Sequence, residues 1–229
     1  MGNKKKNSNY KGADQKNGAQ AKKQNKNSNQ KNAKMDKSTL ITIIICSVIV
    51  LSLIVGIVVS VVPKKSVFVE MDFGSYGTIL IEVDRNEAPK TAKNFISLVE
   101  SGFYDGLTIF RAQKNFVIQG GRNDAVDIKP IVGEFDSNGH KNSISHQRGV
   151  ISMARSTDPD SATSQFFITL HNNAASSLDG EYAAFGYVVE GMEVVDAIAN
   201  DLFEYSINSM GFVNDENAIT IVSAKIVER

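Results

Sequence analysis

Tryptophan is absent from the 229 residues, cysteine occurs once, histidine three times and proline four times. The single thiol, Cys46, excludes both a disulfide framework and a zinc site built on thiolates. The histidines do not make a metal centre by spacing. His140 and His146 lie six residues apart in a polar loop with no third ligand close by and read as solvated, while His171 stands beside Asn172-Asn173 as a turn residue. No G-x-S-x-G, phosphate loop or H-E-x-x-H occurs. The acids are scattered without a pair set up for general acid–base work, which argues against hydrolysis.

Net charge is absent too, with 25 basic against 25 acidic residues, but the charges are segregated. Residues 1–37 carry eleven lysines against Asp14 and Asp36, and the remainder carries 14 basic against 23 acidic groups. Lys, Asn and Gln make up 23 of those first 37 residues, and the stretch has no periodic apolar face. It cannot bury enough surface to offset the entropy of ordering and reads as a disordered tail. Its charge suits anionic lipid headgroups or RNA. With Tyr10 as its one aromatic it has nothing to interleave between bases, and nucleic-acid binding is not expected.

What is present next is a run of 23 uncharged residues, 40–62, reading LITIIICSVIVLSLIVGIVVSVV. As a helix it spans about 34 Å, enough for a bilayer core of about 30 Å. A buried core helix rarely goes so long without polar residues. A cleaved signal peptide has a shorter apolar run and a small-residue cleavage site. A lipoprotein anchor at Cys46 would need a small residue where Ile45 stands. The reading is a single transmembrane helix over residues 38–63, a signal-anchor. The lysine excess before it places the tail 1–37 in the cytoplasm and the following residues outside the cell membrane. The lack of cysteine in those residues fits, since nothing there depends on redox state.

Residues 66–229 have the size of one domain. Alternating apolar runs mark strands over 67–71 and 78–83 around a Gly-containing turn, and further strands over 116–118, 150–153, 165–169, 184–188 and 219–226. Helical spacing appears after Ala88-Pro89, through Ala92, Phe95, Ile96 and Val99 to Gly102, and again over 191–200. Many strands with two helices predict a mainly β domain, a barrel or sandwich capped by helices.

Two segments stand out. In the first, 109–121, Arg111 and Gln119 flank large apolar residues next to Gly120-Gly121. If residues 116–119 form a strand, Val117 and Gln119 share one face and Phe116 and Ile118 the other. The second runs through Ile151-Ser152-Met153-Ala154-Arg155 and on to Ser164-Gln165-Phe166-Phe167-Ile168. By pattern alone both also suit core strands with polar outer faces.

These segments resemble the cyclophilin family of peptidyl-prolyl cis–trans isomerases. The likeness takes in Ala88-Pro89-Lys90-Thr91, Asn94-Phe95, Gly102-Phe103-Tyr104-Asp105-Gly106, Phe110-Arg111 and Gln119-Gly120-Gly121. It continues through the second segment to Leu178-Asp179-Gly180, Phe185-Gly186 and Glu190-Gly191-Met192, covering residues 66–229 in order. The stretch from Gly133-Glu134-Phe135 to Arg155-Ser156 is similar to bacterial members in particular.

The resemblance implies a closed antiparallel eight-stranded barrel with two capping helices. It also implies prolyl isomerase (rotamase) activity on proline-containing polypeptides, with no cofactor or metal and a monomeric state. Arg111 takes the position of the family's catalytic arginine, with Gln119 and Phe116 beside it. Val117, Phe167 and Leu178 would complete the proline pocket, and Ala154, Arg155 and Gln165 the backbone groove. Tyr182 stands where many members have His, and Ser177 where many have Trp, which implies weakened cyclosporin binding.

Two functional readings of residues 66–229 follow, beside a weaker third in which the basic tail is the working part and recruits anionic lipid or nucleic acid on the cytoplasmic side. One is a membrane-anchored isomerase that assists the folding of exported proteins. The other is a catalytically weak proline-peptide holder, a chaperone or scaffold, to which Ser177 and Val117 lend some support.

Overall fold

The computed structural model describes residues 36–61 and 65–229. The reading of 1–37 as a tail, apart from its last two residues, and the end of the apolar run at 62–64 lie outside the described residues. The described part divides into an N-terminal helix and a folded domain.

Helix α1 spans Lys37–Val61. Asp36 starts it, its carboxylate accepting from the Ser38 amide at 2.6 Å and from the Thr39 hydroxyl at 2.8 Å. The apolar side chains from Leu40 to Ile54 are exposed. The hydroxyls of Thr42, Ser47 and Ser52 donate back to carbonyls one turn earlier, so these polar groups are satisfied within the helix. The helix is long and apolar enough to cross a membrane; by these features alone it is equally a signal sequence.

The domain contains strands β1 (Val67–Asp72), β2 (Thr78–Val83), β3 (Thr108–Gln113), β4 (Val117–Gly120), β5 (Val150–Met153), β6 (Phe166–Thr169), β7 (Ala184–Glu190), β8 (Ile219–Thr220) and β9 (Ser223–Val227). Helices α2 (Pro89–Glu100), α3 (Ala175–Leu178) and α4 (Met192–Glu204) complete it. All strand pairings are antiparallel, in the order β8-β3-β4-β6-β5-β7-β2-β1-β9.

The expected class, mainly β with few helices, is the one observed, but the closed eight-stranded barrel is not. The sheet is curled and open, with nine strands and with β8 and β9 at its two edges unpaired to each other. The reason lies at Ile221-Val222, which split the single strand expected over 219–226. The Ile221 amide donates to Leu107 on one side, and the Val222 amide to Asp72 on the other. The chain thus steps from one edge to the other across two residues, which fixes how tightly the sheet curls. Strand β3 was not read from the sequence, and α3 adds a third, one-turn helix to the two anticipated.

Alternation explains the two faces. Val69 and Met71 of β1 and Ile79, Ile81 and Val83 of β2 point into one core, while Glu70 points out and pairs with Lys225 on β9 at 2.8 Å. On β4 and β6, Ile118, Phe166 and Ile168 join that core, and their neighbours Val117 and Phe167 belong to a separate apolar cluster. The main core is bound to the helices by rings. Phe95 of α2 lies 5.3 Å from Tyr104, 6.0 Å from Phe166 and 4.9 Å from Phe185, measured between ring centroids.

Two helix starts depend on distant groups. Helix α4 begins at Gly191, whose φ is 86° and where a Cβ would stand 2.5 Å from the Thr78 carbonyl oxygen, so only glycine fits against β2. Helix α2 has Ala88 at its N-cap, which offers no side-chain acceptor. The acceptor comes from Glu134, only 2% exposed, whose carboxylate takes the amides of Lys90 and Thr91 at 3.1 and 2.8 Å and the Thr91 hydroxyl at 2.9 Å. This pins the long connection between β4 and β5 to the helix. Glu134→Ala strands these buried donors and is expected to cost about 1–3 kcal/mol, read as a lower denaturation midpoint with an unchanged slope. An unchanged midpoint would show that water replaces the cap at no cost.

Candidate active site

Arg111 on β3 and Gln119 on β4 are direct partners in the antiparallel register. Strand periodicity also puts Gln113, two residues on, on the face of Arg111. The result is a guanidinium held from several sides. Its Nη1 donates to Gln119 Oε1 at 2.8 Å, its Nη2 to Gln113 Oε1 at 2.7 Å and its Nε to the Met210 carbonyl at 2.8 Å. The Phe212 ring lies below it, 5.4 Å from Cζ to the ring centroid. Gln119 passes the chain on, its Nε2 donating to Gln165 Oε1 at 2.9 Å. Burial lowers the Arg111 pKa, with Tyr182 acting in the opposite direction. None of the groups bonded to the guanidinium is a carboxylate, so its charge is not neutralised.

Beside this network lies a cavity of about 150 Å³, walled by Phe116, Val117, Ala154, Phe167, Leu178 and Tyr182, with Arg111, Gln119 and Arg155 at its polar side. Of the eleven residues singled out in the sequence, nine meet here. Gln165 lines an adjoining hollow that shares Gln119, Ala154 and Arg155 with the first. Ser177 lines neither; it is exposed and its hydroxyl donates to the Ala174 carbonyl at 3.1 Å.

The split of Phe116 and Val117 onto opposite faces does not hold. The strand begins at Val117, and Phe116 sits in the hairpin turn after Asn115, whose φ is 58°. The turn swings Phe116 onto the cavity side with Val117 and ties its carbonyl to the Leu170 amide at 2.8 Å. Gln165 likewise precedes β6 instead of opening it. Arg155 is clamped. Its Cζ lies 5.1 Å from the Phe135 ring centroid and 4.8 Å from that of Tyr182, and its Nε donates to the Glu181 carbonyl at 3.0 Å.

His146 is the largest departure from expectation. It is not solvated but 1% exposed, stacked on Phe167 at 5.8 Å between centroids with planes 21° apart. Its Nδ1 is 2.8 Å from Asp179 Oδ1 and its Nε2 3.1 Å from the Ser152 hydroxyl. With Nδ1–H donating to the carboxylate, Nε2 is left to accept from Ser152. Asp179 also accepts from the His146 amide at 2.7 Å, and it directly follows the cavity residue Leu178. His146 therefore ties β5, β6 and the end of α3 together beneath the cavity. The polar wording of its loop hid this. His140 instead meets the Glu87 carbonyl at 2.7 Å, and His171 caps its own turn by accepting from the Asn173 amide at 3.2 Å. Among the described residues no cluster of three metal-binding side chains occurs.

Burial lowers the His146 pKa, outweighing the hydrogen bond and attraction of Asp179, which raise it. The unfolded chain then takes up the proton first as pH falls through about 6.5. Stability present above that value is lost as pH falls toward the folded pKa. The domain is expected to lose denaturant resistance between pH 7.5 and 5.5 (about two units spanning that ordinary value), and His146→Gln to flatten that slope. Equal slopes in both proteins would refute the assignment.

The cyclophilin-type peptidyl-prolyl cis-trans isomerase/CLD family model matches residues 68–226. A peptidyl-prolyl cis-trans isomerase of Acinetobacter baylyi is 42% identical over 148 residues, 63% of this chain and 78% of the relative. Peptidyl-prolyl cis-trans isomerase A of Dickeya dadantii is 40% identical over 165 residues, 68% of this chain and 82% of the relative. The crystal structure of a cyclophilin-type isomerase from Cryptosporidium parvum aligns with a TM-score of 0.60 at 26% identity, covering 72% of this chain and 99% of that one. A second structure of it, determined in the presence of the dipeptide Ala-Pro, aligns with a TM-score of 0.58. With an apolar cavity edged by Arg111 on one face of a curled antiparallel sheet, the chain belongs to the cyclophilin-type peptidyl-prolyl cis–trans isomerases.

Proposed function

We propose that the cavity takes the proline ring of a client polypeptide and that Arg111 accelerates rotation about the preceding peptide bond. The observation that carries this is a half-buried guanidinium, fixed by three acceptors, on the edge of an apolar cavity whose lining carries no serine, cysteine or carboxylate. Rotation has a barrier of about 18–20 kcal/mol because amide resonance must be broken. At X-Pro both isomers are populated but exchange in tens to hundreds of seconds. No bond is made or broken. Midway through the rotation the prolyl nitrogen loses conjugation and its lone pair becomes a better acceptor. A fixed donor at that nitrogen binds the twisted state more strongly than either planar state, which is the condition for catalysis. An acceleration of 10⁵ needs about 7 kcal/mol, at 1.36 per decade.

The other residues divide the work. Phe116, Val117, Phe167 and Leu178 hold the ring while the acyl side turns. Gln119 holds Arg111 and, with Ala154, Arg155 and Gln165, lines the hollow that would carry the client backbone. Tyr182 closes the cavity edge-on to Phe167, with ring centroids 5.5 Å apart. Ser177, exposed and turned back on its own helix, adds no aromatic ring to those of Phe116 and Tyr182, and weak cyclosporin inhibition is expected.

In the chain as a whole we assign residues 1–37 to a cytoplasmic basic tail, 38–63 to a membrane span and 66–229 to a monomeric isomerase domain outside the cell membrane, acting on exported proteins. The exposed apolar surface of α1 and the lysines before it support this reading.

The test is exchange NMR of a short X-Pro peptide with catalytic amounts of the full chain in detergent micelles. Arg111→Ala is expected to lower turnover by about 10²–10³ while leaving peptide affinity within a few-fold. Arg111→Lys should recover little, because an ammonium cannot satisfy the three acceptors in their fixed directions. Turnover that survives in the alanine variant would reject Arg111 as the catalytic group. Binding without faster exchange in the parent protein would make the domain a proline-peptide holder. Topology is tested separately: in intact cells, added protease should reach residues 66–229, and protection would reverse the orientation.

A further inference from the structure

Beyond the cavity, on the far side of Arg111, the chain between α4 and β8 shows three large apolar side chains to solvent. Tyr205, Ile207 and Met210 are 51%, 59% and 55% exposed. A scatter of single apolar residues on a surface is ordinary, but Ile207 and Met210 share one short loop whose shape is tightly built, and Tyr205 stands at the α4 C-cap that leads into it. The Ile207 amide donates to the Phe212 carbonyl at 2.8 Å, and Asn208 Oδ1 accepts from the Met210 and Phe212 amides at 3.0 and 3.3 Å. The loop is also clamped to β3. The Ala112 amide donates to the Gly211 carbonyl at 2.8 Å, and a Cβ at Gly211 would stand 2.0 Å from the Ala112 oxygen. That close approach is what brings the Met210 carbonyl to Arg111 Nε and the Phe212 ring beneath the guanidinium.

We propose that this loop is a specificity surface for the client: Ile207, with Tyr205 and Met210, binds an apolar side chain of the polypeptide beyond the residues that flank the proline. The proposal rests on the reading that Arg111 faces the prolyl bond. The occupant follows from continuity. The cavity takes one ring, so the rest of an extended client must leave it in two directions. One is the polar hollow of Gln119, Ala154 and Gln165. The other would lead to the loop that meets Arg111 through the Met210 carbonyl, where the surface is apolar and held in shape by the Asn208 side chain. A rigid loop loses little conformational freedom when it binds, so modest apolar contact shows as affinity. Because the loop touches neither the rotating bond nor the ring, its contacts are the same in planar and twisted states. They should lower KM and leave kcat alone.

The experiment compares two peptides with the full chain in micelles: a short X-Pro peptide, and a longer one with leucines placed beyond the immediate neighbours of its proline. The Tyr205→Ser/Ile207→Ser variant is expected to raise KM for the longer peptide by about five- to tenfold, with kcat unchanged and the short peptide unaffected. Ile207→Leu should behave as the parent. Replacing the leucines by serines should raise the parent's KM and abolish the difference between proteins. An unchanged KM on the leucine peptide overturns the proposal. So does an equal fall in kcat on both peptides, since the loop would then act only by placing Arg111. Failure of the underlying reading looks different: Arg111→Ala would retain turnover of the short peptide.

Discussion

A guanidinium can stand beside an apolar pocket only if its donors are answered from outside that pocket. Everything else in the site follows from how this chain meets that condition. The answer is a register. Because β3 and β4 pair with Arg111 opposite Gln119, a side-chain acceptor lies directly across the ladder. Period-two alternation adds Gln113 from the same strand, and the clamped loop adds the Met210 carbonyl. A one-residue slip of β3 against β4 would turn Arg111 into the core and leave a buried charge without partners, a far larger penalty than any single hydrogen bond. The acceptors are all neutral. They fix the direction of the charge without cancelling it, which is what the role proposed for Arg111 requires.

The same sheet must be greasy on both sides to do this. The strand β6 is buried throughout, Phe166 and Ile168 in the main core and Phe167 in the cavity cluster. The core side is anchored by rings that reach from α2 through Phe95, and α2 is itself held by the buried carboxylate of Glu134. The cavity side is anchored from beneath, where His146 joins Phe167, Ser152 and Asp179. Stability and site geometry thus share parts: the long connection between β4 and β5 supplies both Glu134 and His146, so loosening it would slacken the helix cap and the cavity floor together.

What the sequence made legible was whatever depends on neighbours along the chain. Alternation revealed β1 and β2, and it put Val117 and Gln119 on one face, as the structure does. The same rule, applied to Gln113, would have found an acceptor for Arg111 that the motif-based reading passed over. Phe116 was misplaced because the turn at Asn115 interrupts the alternation one residue before the strand starts. Nine of the residues that the resemblance named line one cavity, whereas the Ser177 hydroxyl turns back to the Ala174 carbonyl outside it.

What stayed illegible depends on partners far away in sequence or on the main chain. Glu134 reads as one more surface acid, yet it caps a helix more than forty residues earlier. His146 sits among Ser, Asn and Lys, the wording of a solvated loop, and is nonetheless sealed under an aromatic ring. The Met210 carbonyl carries no side-chain signal at all; only Gly211, forced by its approach to Ala112, marks the spot. These three are the groups that hold a helix, a cavity floor and a guanidinium in position. The residues that would touch a client are therefore easier to read than those that make the touching exact, because contact needs the right type of side chain while positioning needs only a well-placed donor or acceptor of any origin.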